Sequence, residues 1–440
     1  MGARNSRVLH RSLRETPPKA IGGDGVWLIA EGGRRILDAS GGAAVSCLGH
    51  QHPRVIEAIS RQASKLAYAH TSFFSSEPAE ALADQLVGDE PGGLAYAYFV
   101  SGGSEAIEAG IKLARQYFIE AGQPQRQRFI ARRQSYHGNT LGALAAGGNA
   151  WRREPYAPLL SAAFSHVTPA FAYHEKRDSE SEADFVARLA AELEAEFQRL
   201  GPDTVAAFIA EPIHGGGGVL VPDDDYFRLV REVCTKREVL FIADEVITGF
   251  CRTGRWFALS HWNVKPDIMS FAKGVSSGYL PLGGIMVSRD VKEAMDSVKP
   301  EDKWMHAYTY SGHPTCCAVG LKNVEIMERE KLVERSATLG TRLHKGLHAA
   351  FDSHPNVGDI RSGKGLLAAI ELVEDKATKK PYGPDQKIGA RILQEMSKRG
   401  VITRARMEHV FFSPAIVITE AELDRMVSVT QEAVKAVTGT

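Results

Sequence analysis

Through the middle of the chain, short and almost unbroken apolar runs alternate with longer stretches in which apolar residues return every three or four positions. The runs at 96–100, 129–131, 205–210 and 240–243 read as strands. The stretches 105–118, 183–199 and 226–236 read as helices. Alternation of this kind predicts an α/β fold with a mostly parallel sheet and helices on both faces. Segment 174–199 is highly charged and reads as a loop followed by a solvated amphipathic helix, not as a binding patch. From Leu332 onward the pattern changes to long amphipathic helices, short strands near 365–372 and 410–413, and a closing helix at 420–437. This predicts a smaller α+β domain formed by both chain ends. The expected division is 1–55 for the N-terminal part of the small domain, 56–325 for the large domain and 326–440 for the rest of the small one.

The length of 440 residues exceeds what one hydrophobic core supports, in keeping with two domains. Lysine plus arginine and aspartate plus glutamate both number 53, so the net charge is zero and neither nucleic acid nor a membrane surface is the expected partner. Small molecules fit better. The cysteines, Cys47, Cys234, Cys251, Cys316 and Cys317, form no CxxC pair, which argues against a disulfide framework or zinc site and for a cytoplasmic setting. No run has the length of a membrane span. Arg4, Arg7, Arg11 and Arg14 faintly resemble a transit peptide, but Pro17 and Pro18 follow closely and a mobile arm is the preferred reading. Met1-Gly2 with Ser6 matches the myristoylation pattern by chance.

The candidate chemistry starts at Lys273, downstream of an apolar run that ends in Asp244. A pyridoxal phosphate (PLP) enzyme needs such a pair. The lysine forms the Schiff base, and the carboxylate keeps the pyridine nitrogen protonated. On these two residues alone, a surface lysine and an ordinary strand-end aspartate would be the commoner explanation. Ser101-Gly102-Gly103-Ser104-Glu105 reads as a strand, a turn of small residues and a helix start, suited to a single phosphate group. It lacks both the G-x-G-x-x-G pattern and a Walker lysine, which argues against a nucleotide. Tyr136, in Ser135-Tyr136-His137-Gly138, could stack on a pyridine ring or belong to the core. His50 and His52 have no companion ligand and read as structural.

Taken together, Ser101-Gly102-Gly103-Ser104-Glu105-Ala106, Tyr136-His137-Gly138, Glu211-Pro212, Asp244-Glu245-Val246, Lys273-Gly274 and Thr309-Tyr310-Ser311-Gly312-His313-Pro314 resemble the class III aminotransferases, fold-type I PLP enzymes, in order and along essentially the whole chain. The resemblance implies that Lys273 is the Schiff-base lysine and proton shuttle and that Asp244 pairs with the pyridinium. Val246 and Tyr136 would cover the two ring faces. Gly103 and Ser104 would hold the phosphate, with His137 and Glu211 around the cofactor. Thr309 would reach the cofactor phosphate of a neighbouring subunit, so a homodimer or a dimer of dimers with shared active sites is implied.

Within the family, Gly216 stands where ornithine- and GABA-type relatives carry a glutamate, and Ile247 where they carry glutamine. Both are similar to the amine:pyruvate (omega) branch, as is Thr403-Arg404-Ala405 before Val410-Phe411-Phe412. Arg404 would then pair with a substrate carboxylate through two parallel hydrogen bonds and swing away for uncharged substrates. Ala44 replaces a bulky aromatic and would widen one pocket, with Phe73 and Phe74 as candidates for its opposing wall. Met407, Ala415, Cys251 and Ala307 also depart from the family pattern. The implied reaction moves an amino group from a primary amine or omega-amino acid to a keto acid, pyruvate being favoured, by ping-pong kinetics. A phospholyase acting on amino-alkyl phosphates, a decarboxylase or an aminomutase on the same fold stays open.

Overall fold

The computed structural model describes residues 6–13, 15–88, 93–296 and 304–440. Met1, Gly2, Arg4 and Arg14 therefore lie outside the described residues. Sixteen strands group into three sheets among these residues: β1 Ala20–Asp24, β2 Trp27–Ala30, β3 Arg35–Asp38, β4 Leu94–Val100, β5 Arg128–Arg132, β6 Phe164–Val167, β7 Val205–Ala210, β8 Leu240–Asp244, β9 Ile268–Phe271, β10 Gly283–Ser288, β11 Val357–Ser362, β12 Ala368–Asp375, β13 Lys380–Pro381, β14 Val401–Ile402, β15 Arg404–Arg406 and β16 His409–Phe412.

The seven-stranded sheet has the order β4-β10-β9-β8-β7-β5-β6. Only β10 runs against the others. All residues of β7 and β8 are buried, which explains their unbroken apolar text: helices cover both faces. The helix Gly103–Glu120 turns Ala106, Ile107, Ala109, Gly110, Leu113 and Ala114 inward, mostly small side chains that let it lie close to the sheet. The charged stretch forms the helix Glu182–Leu200. Ser181 and Asp184 cap its start reciprocally, and Phe185, Val186, Leu189, Leu193 and Phe197 are buried on one face.

The two chain ends meet in the smaller sheets. β3 pairs in parallel with β14, Leu37 opposite Val401, so the N-terminal strands extend a C-terminal element. A second, antiparallel sheet has the order β11-β12-β16-β15, with β13 on β12. The positions 55 and 325 fall inside the helices Pro53–Lys65 and Pro314–Arg329, which pack against each other. The apolar pattern does not predict strands β6, β9 and β10. β6 reads Phe-Ser-His-Val and β10 opens on two glycines, so neither is a clear apolar run. No helix among the described residues is long and apolar enough to cross a membrane.

Parallel strands deliver their C-terminal ends to one edge of the sheet, where open α/β folds form a crevice. That edge receives Gly103 after β4, Tyr136 after β5, Glu211 after β7, Asp244 at the end of β8 and Lys273 after β9.

Candidate active site

These side chains surround an inner cavity of about 140 Å³, lined by Gly103, Ser104, Tyr136, His137, Glu211, Asp244, Val246 and Lys273 among others. The fold thus brings together every cofactor-contacting candidate of the sequence except Thr309. Asp244 is buried. Its Oδ1 accepts the Val246 N–H at 3.1 Å, and its Oδ2 lies 2.7 Å from His137 Nδ1. Carboxylate oxygens carry two lone pairs each, so Asp244 retains capacity to accept one more N–H. His137 Nε2 is buried without a hydrogen-bond partner among the described residues.

The helix Gly103–Glu120 starts at the cavity wall, where its first N–H groups have no partner within the helix. A Cβ at Gly103 would stand 2.8 Å from Val246 Cγ1, so only glycine leaves this cradle open. Ser104 Oγ accepts the Asn139 N–H at 3.0 Å, tying the helix start to the loop after Tyr136. In that loop Gly138 has φ +139°, a region L-residues rarely adopt. A Cβ there would come within 2.5 Å of Ser104 Oγ. Glu211 is buried and links two loops: Oε1 accepts the Tyr136 N–H and Oε2 the Gly215 N–H, both at 3.0 Å. Burial pushes its carboxyl pKa up.

Lys273 sits in the left-handed region with φ +48°, a conformation unusual for a lysine and one that recurs at functional sites. Its turn is fixed from behind by Asn323, whose amide donates to the Gly274 and Val275 carbonyls at 2.8 and 2.9 Å and accepts from Ser277 Oγ at 2.7 Å. No motif points to Asn323; only its burial inside the helix Pro314–Arg329 reveals it. Desolvation lowers the Lys273 pKa from 10.5 to about 8, against the opposing pull of Asp244 and Glu211. A substantial fraction of this amine is therefore neutral near pH 8.

Across Tyr136, Ile247 and Lys273 lies an outer cavity of about 850 Å³. Ala44 lines it, as the widened-pocket expectation requires, and so does Arg404. Phe73 and Phe74 do not; they are 78% and 68% exposed. They therefore do not wall this chain's own cavity, and the segment carrying them faces outward. Thr309 is exposed beside them, away from both cavities, and its carbonyl accepts the Tyr68 hydroxyl at 2.7 Å. Tyr68, His70, Phe73 and Tyr310 form a surface aromatic cluster around it. The outer cavity also holds residues to which sequence reasoning gives no role: Arg11, Trp151, Arg152 and Arg406. The alternation of Arg404 and Arg406 in a short strand is the one available signal for Arg406. Arg152 has none.

The pyridine-and-phosphate shape of PLP fits this donor set. A helix start with a glycine cradle faces a buried carboxylate with spare acceptor capacity, and a lysine of lowered pKa stands beside them.

The profile of the aminotransferase class-III family matches residues 14–434. An uncharacterized aminotransferase of Schizosaccharomyces pombe is 43% identical over 430 residues, covering 96% of this chain and 93% of its own. The putrescine–pyruvate aminotransferase of Pseudomonas aeruginosa is 35% identical, with coverages of 93% and 88%. Among solved structures, the omega transaminase of Pseudomonas jessenii in complex with PMP superposes with a TM-score of 0.93 at 36% identity, covering 96% of this chain and 93% of that one.

Proposed function

The chain belongs to the class-III aminotransferases, PLP-dependent enzymes that exchange amino groups between amines and keto acids, and from that premise we propose an omega-type enzyme that takes the amino group of a primary amine or omega-amino acid and gives it to a keto acid by ping-pong kinetics. The observation that carries this reading is the convergence of Asp244 and Lys273 on one cavity, beside a second, larger cavity that Lys273 also lines. Bound there, PLP supplies an electron sink for negative charge on the carbon next to the substrate nitrogen.

The chain's residues supply the rest. With PLP bound, Asp244 would accept the ring N–H and keep that nitrogen protonated; His137 Nδ1, 2.7 Å from its Oδ2, fixes the carboxylate's orientation. Tyr136 and Val246 would cover the ring, and the N-terminus of the helix Gly103–Glu120 would hold the phosphate with Ser104. Lys273, its pKa lowered to about 8 by desolvation, would take up and return the proton at the substrate carbon through its Nζ. Arg404 pairs with the carboxylate of the keto acid. Ile247 and Gly216 support the omega branch. Pyruvate is the acceptor favoured by that branch, and the similarity to the putrescine–pyruvate enzyme agrees with it. We further propose that Thr309, Phe73 and Phe74 serve a second subunit's site, which accounts for their exposure in one chain.

The test is the visible absorbance of the PLP-loaded protein during addition of 1-phenylethylamine and then pyruvate. Bleaching by the amine and recovery with the keto acid supports the reading. A band that stays constant across an amine panel removes it in favour of a lyase on the same fold.

A further inference from the structure

One wall of the outer cavity is bare backbone. Gly215 and Gly216 line it, within the run Gly215-Gly216-Gly217-Gly218. Glycine has the widest choice of conformations, so four in a row hold one shape only if groups outside the run fix it. The run lies directly on two site residues. A Cβ at Gly215 would stand 2.5 Å from Ile247 Cδ1, and one at Gly216 3.1 Å from Tyr136 Cβ. Where the run rests therefore sets the space beside Lys273, which lines the same cavity.

Backbone bonds between His214 and Leu220 close the ends of the run, and three side chains grip it. The Gly215 N–H donates to Glu211 Oε2 at 3.0 Å, Arg406 Nη1 donates to the Gly216 carbonyl at 3.1 Å, and Arg361 Nε donates to the Gly218 carbonyl. Glu211 and Arg406 each line one of the two cavities; Arg361 lines neither. It reaches Gly218 from β11 and is buried. Its other nitrogens are engaged, Nη1 with Glu371 Oε2 at 2.6 Å and Asp359 Oδ2 at 2.8 Å, Nη2 with His409 Nδ1 at 2.7 Å. The guanidinium lies 5.0 Å from the Phe171 ring centroid, and Glu371 Oε1 is 2.5 Å from His174 Nε2. A charged donor held on so many sides is a rigid anchor for one carbonyl.

We propose that Arg361 is a positioning residue for the amine half of the reaction: by holding Gly218 it fixes the glycine wall against Tyr136 and Ile247, and so limits the size of the substituent the outer cavity accepts beside Lys273. This rests on the aminotransferase reading above.

Two substitutions at this one position separate wall-holding from stability. Lysine carries a methylene where arginine has Nε, so Arg361→Lys keeps a positive charge for Glu371 and removes the donor to Gly218. Glutamine carries an amide nitrogen there, so Arg361→Gln keeps the donor and removes the charge. The PLP-loaded enzymes are mixed with 1-phenylethylamine or 1-phenylbutylamine, which differ only in methyl against propyl. The bleaching rate constant per amine concentration is taken as a methyl-to-propyl ratio, and urea unfolding ranks stability. Wild type favours methyl. In Arg361→Lys the ratio falls by about fivefold, the scale of one hydrogen bond, while in Arg361→Gln it stays within about twofold of wild type. Stability runs the other way, with Arg361→Gln the weaker fold because Glu371 loses its guanidinium. A role in the fold alone would make the ratio follow stability.

An unmoved ratio in Arg361→Lys, a fall of equal size in both variants, or a wild-type ratio near one overturns the proposal and leaves the aminotransferase reading standing. If Arg361→Lys does not fold, Gly218→Ala replaces it. Gly218 has φ +125°, and a Cβ there would stand 3.1 Å from Arg361 Nη2, so alanine disturbs the same bond from the other side and should lower the ratio; an unmoved ratio again overturns the proposal. If Arg361→Gln does not fold, Glu371→Gln replaces it and should keep the wild-type ratio, since Arg361 Nε remains on Gly218; a fall matching that of Arg361→Lys overturns the proposal. Absence of bleaching of the wild type by either amine overturns both readings.

Discussion

Lys273 serves chemistry at the expense of stability, and replacing it should make the cofactor-free protein harder to unfold. Its pKa falls from 10.5 in the unfolded chain to about 8 in the fold, chiefly through desolvation. One unit corresponds to about 1.4 kcal/mol, so holding the protonated amine in place costs about 3 kcal/mol at pH 7, where both states carry the proton. Lys273→Met keeps the length of the side chain without the charge and resembles the neutral amine. The cofactor-free variant should therefore be about 3 kcal/mol more stable than the cofactor-free wild type at pH 7. Between pH 8 and 10.5 the unfolded chain binds more protons at this site than the folded one, so the wild type gains stability with rising pH. The difference between the two proteins should shrink through that window and be gone above it. Urea unfolding of both proteins, at equal concentration and at about pH 7, 9 and 10.5, measures this. A variant no more stable than wild type at pH 7, or a gap that stays constant with pH, would refute the argument that the site strains this lysine through its charge. The same variant should be inactive at every pH, since no other amine lines the inner cavity among the described residues.

Asp244→Asn keeps the shape of the site but loses the charge that holds the ring nitrogen protonated; the amine half-reaction, followed by stopped-flow absorbance, should slow by about a hundredfold or more. Gly103→Val would push side-chain atoms into Val246, whose Cγ1 lies only 2.8 Å from where the new Cβ would stand, and fill the phosphate cradle; PLP titration should show about tenfold weaker binding or worse, with the circular dichroism of the fold retained. Gly138→Ala meets both a disfavoured φ and the Ser104 hydroxyl, so a loss of about 1–3 kcal/mol in urea unfolding is expected. Arg404→Ala should reduce kcat/KM for pyruvate by about tenfold or more and affect 1-phenylethylamine less; equal losses for both would remove its carboxylate role.

Much of the site is readable in the sequence because its residues hang on local patterns. Asp244 closes a strand whose residues are all buried, and such a strand must read as an apolar run, so its polar terminus stands out. Gly103 and Ser104 follow a strand and open a helix, a junction marked by small residues. Strand β9 escapes notice at only four residues, and β10 begins with two glycines. Asn323 leaves no trace because its role is to satisfy carbonyls about fifty positions away, a relation that exists only after the helix Pro314–Arg329 has packed behind the Lys273 turn. Phe73 and Phe74 stand outside this chain's own cavity for the converse reason: hydrophobicity suggests burial without saying against what.

By itself, then, the sequence determined several of the main elements and the reacting groups, since periodicity, strand-end carboxylates and glycine turns are encoded within a few neighbouring residues. Tertiary structure alone decided which distant groups share a cavity. It joined β3 to β14 so that the two chain ends share one sheet. It also gathered Arg11, Arg152, Arg404 and Arg406 from three remote segments around one space with no acid among its described lining residues. Charge interactions act through a few ångströms of space whatever the separation along the chain. The net charge of zero therefore concealed a strongly cationic pocket until the chain was folded.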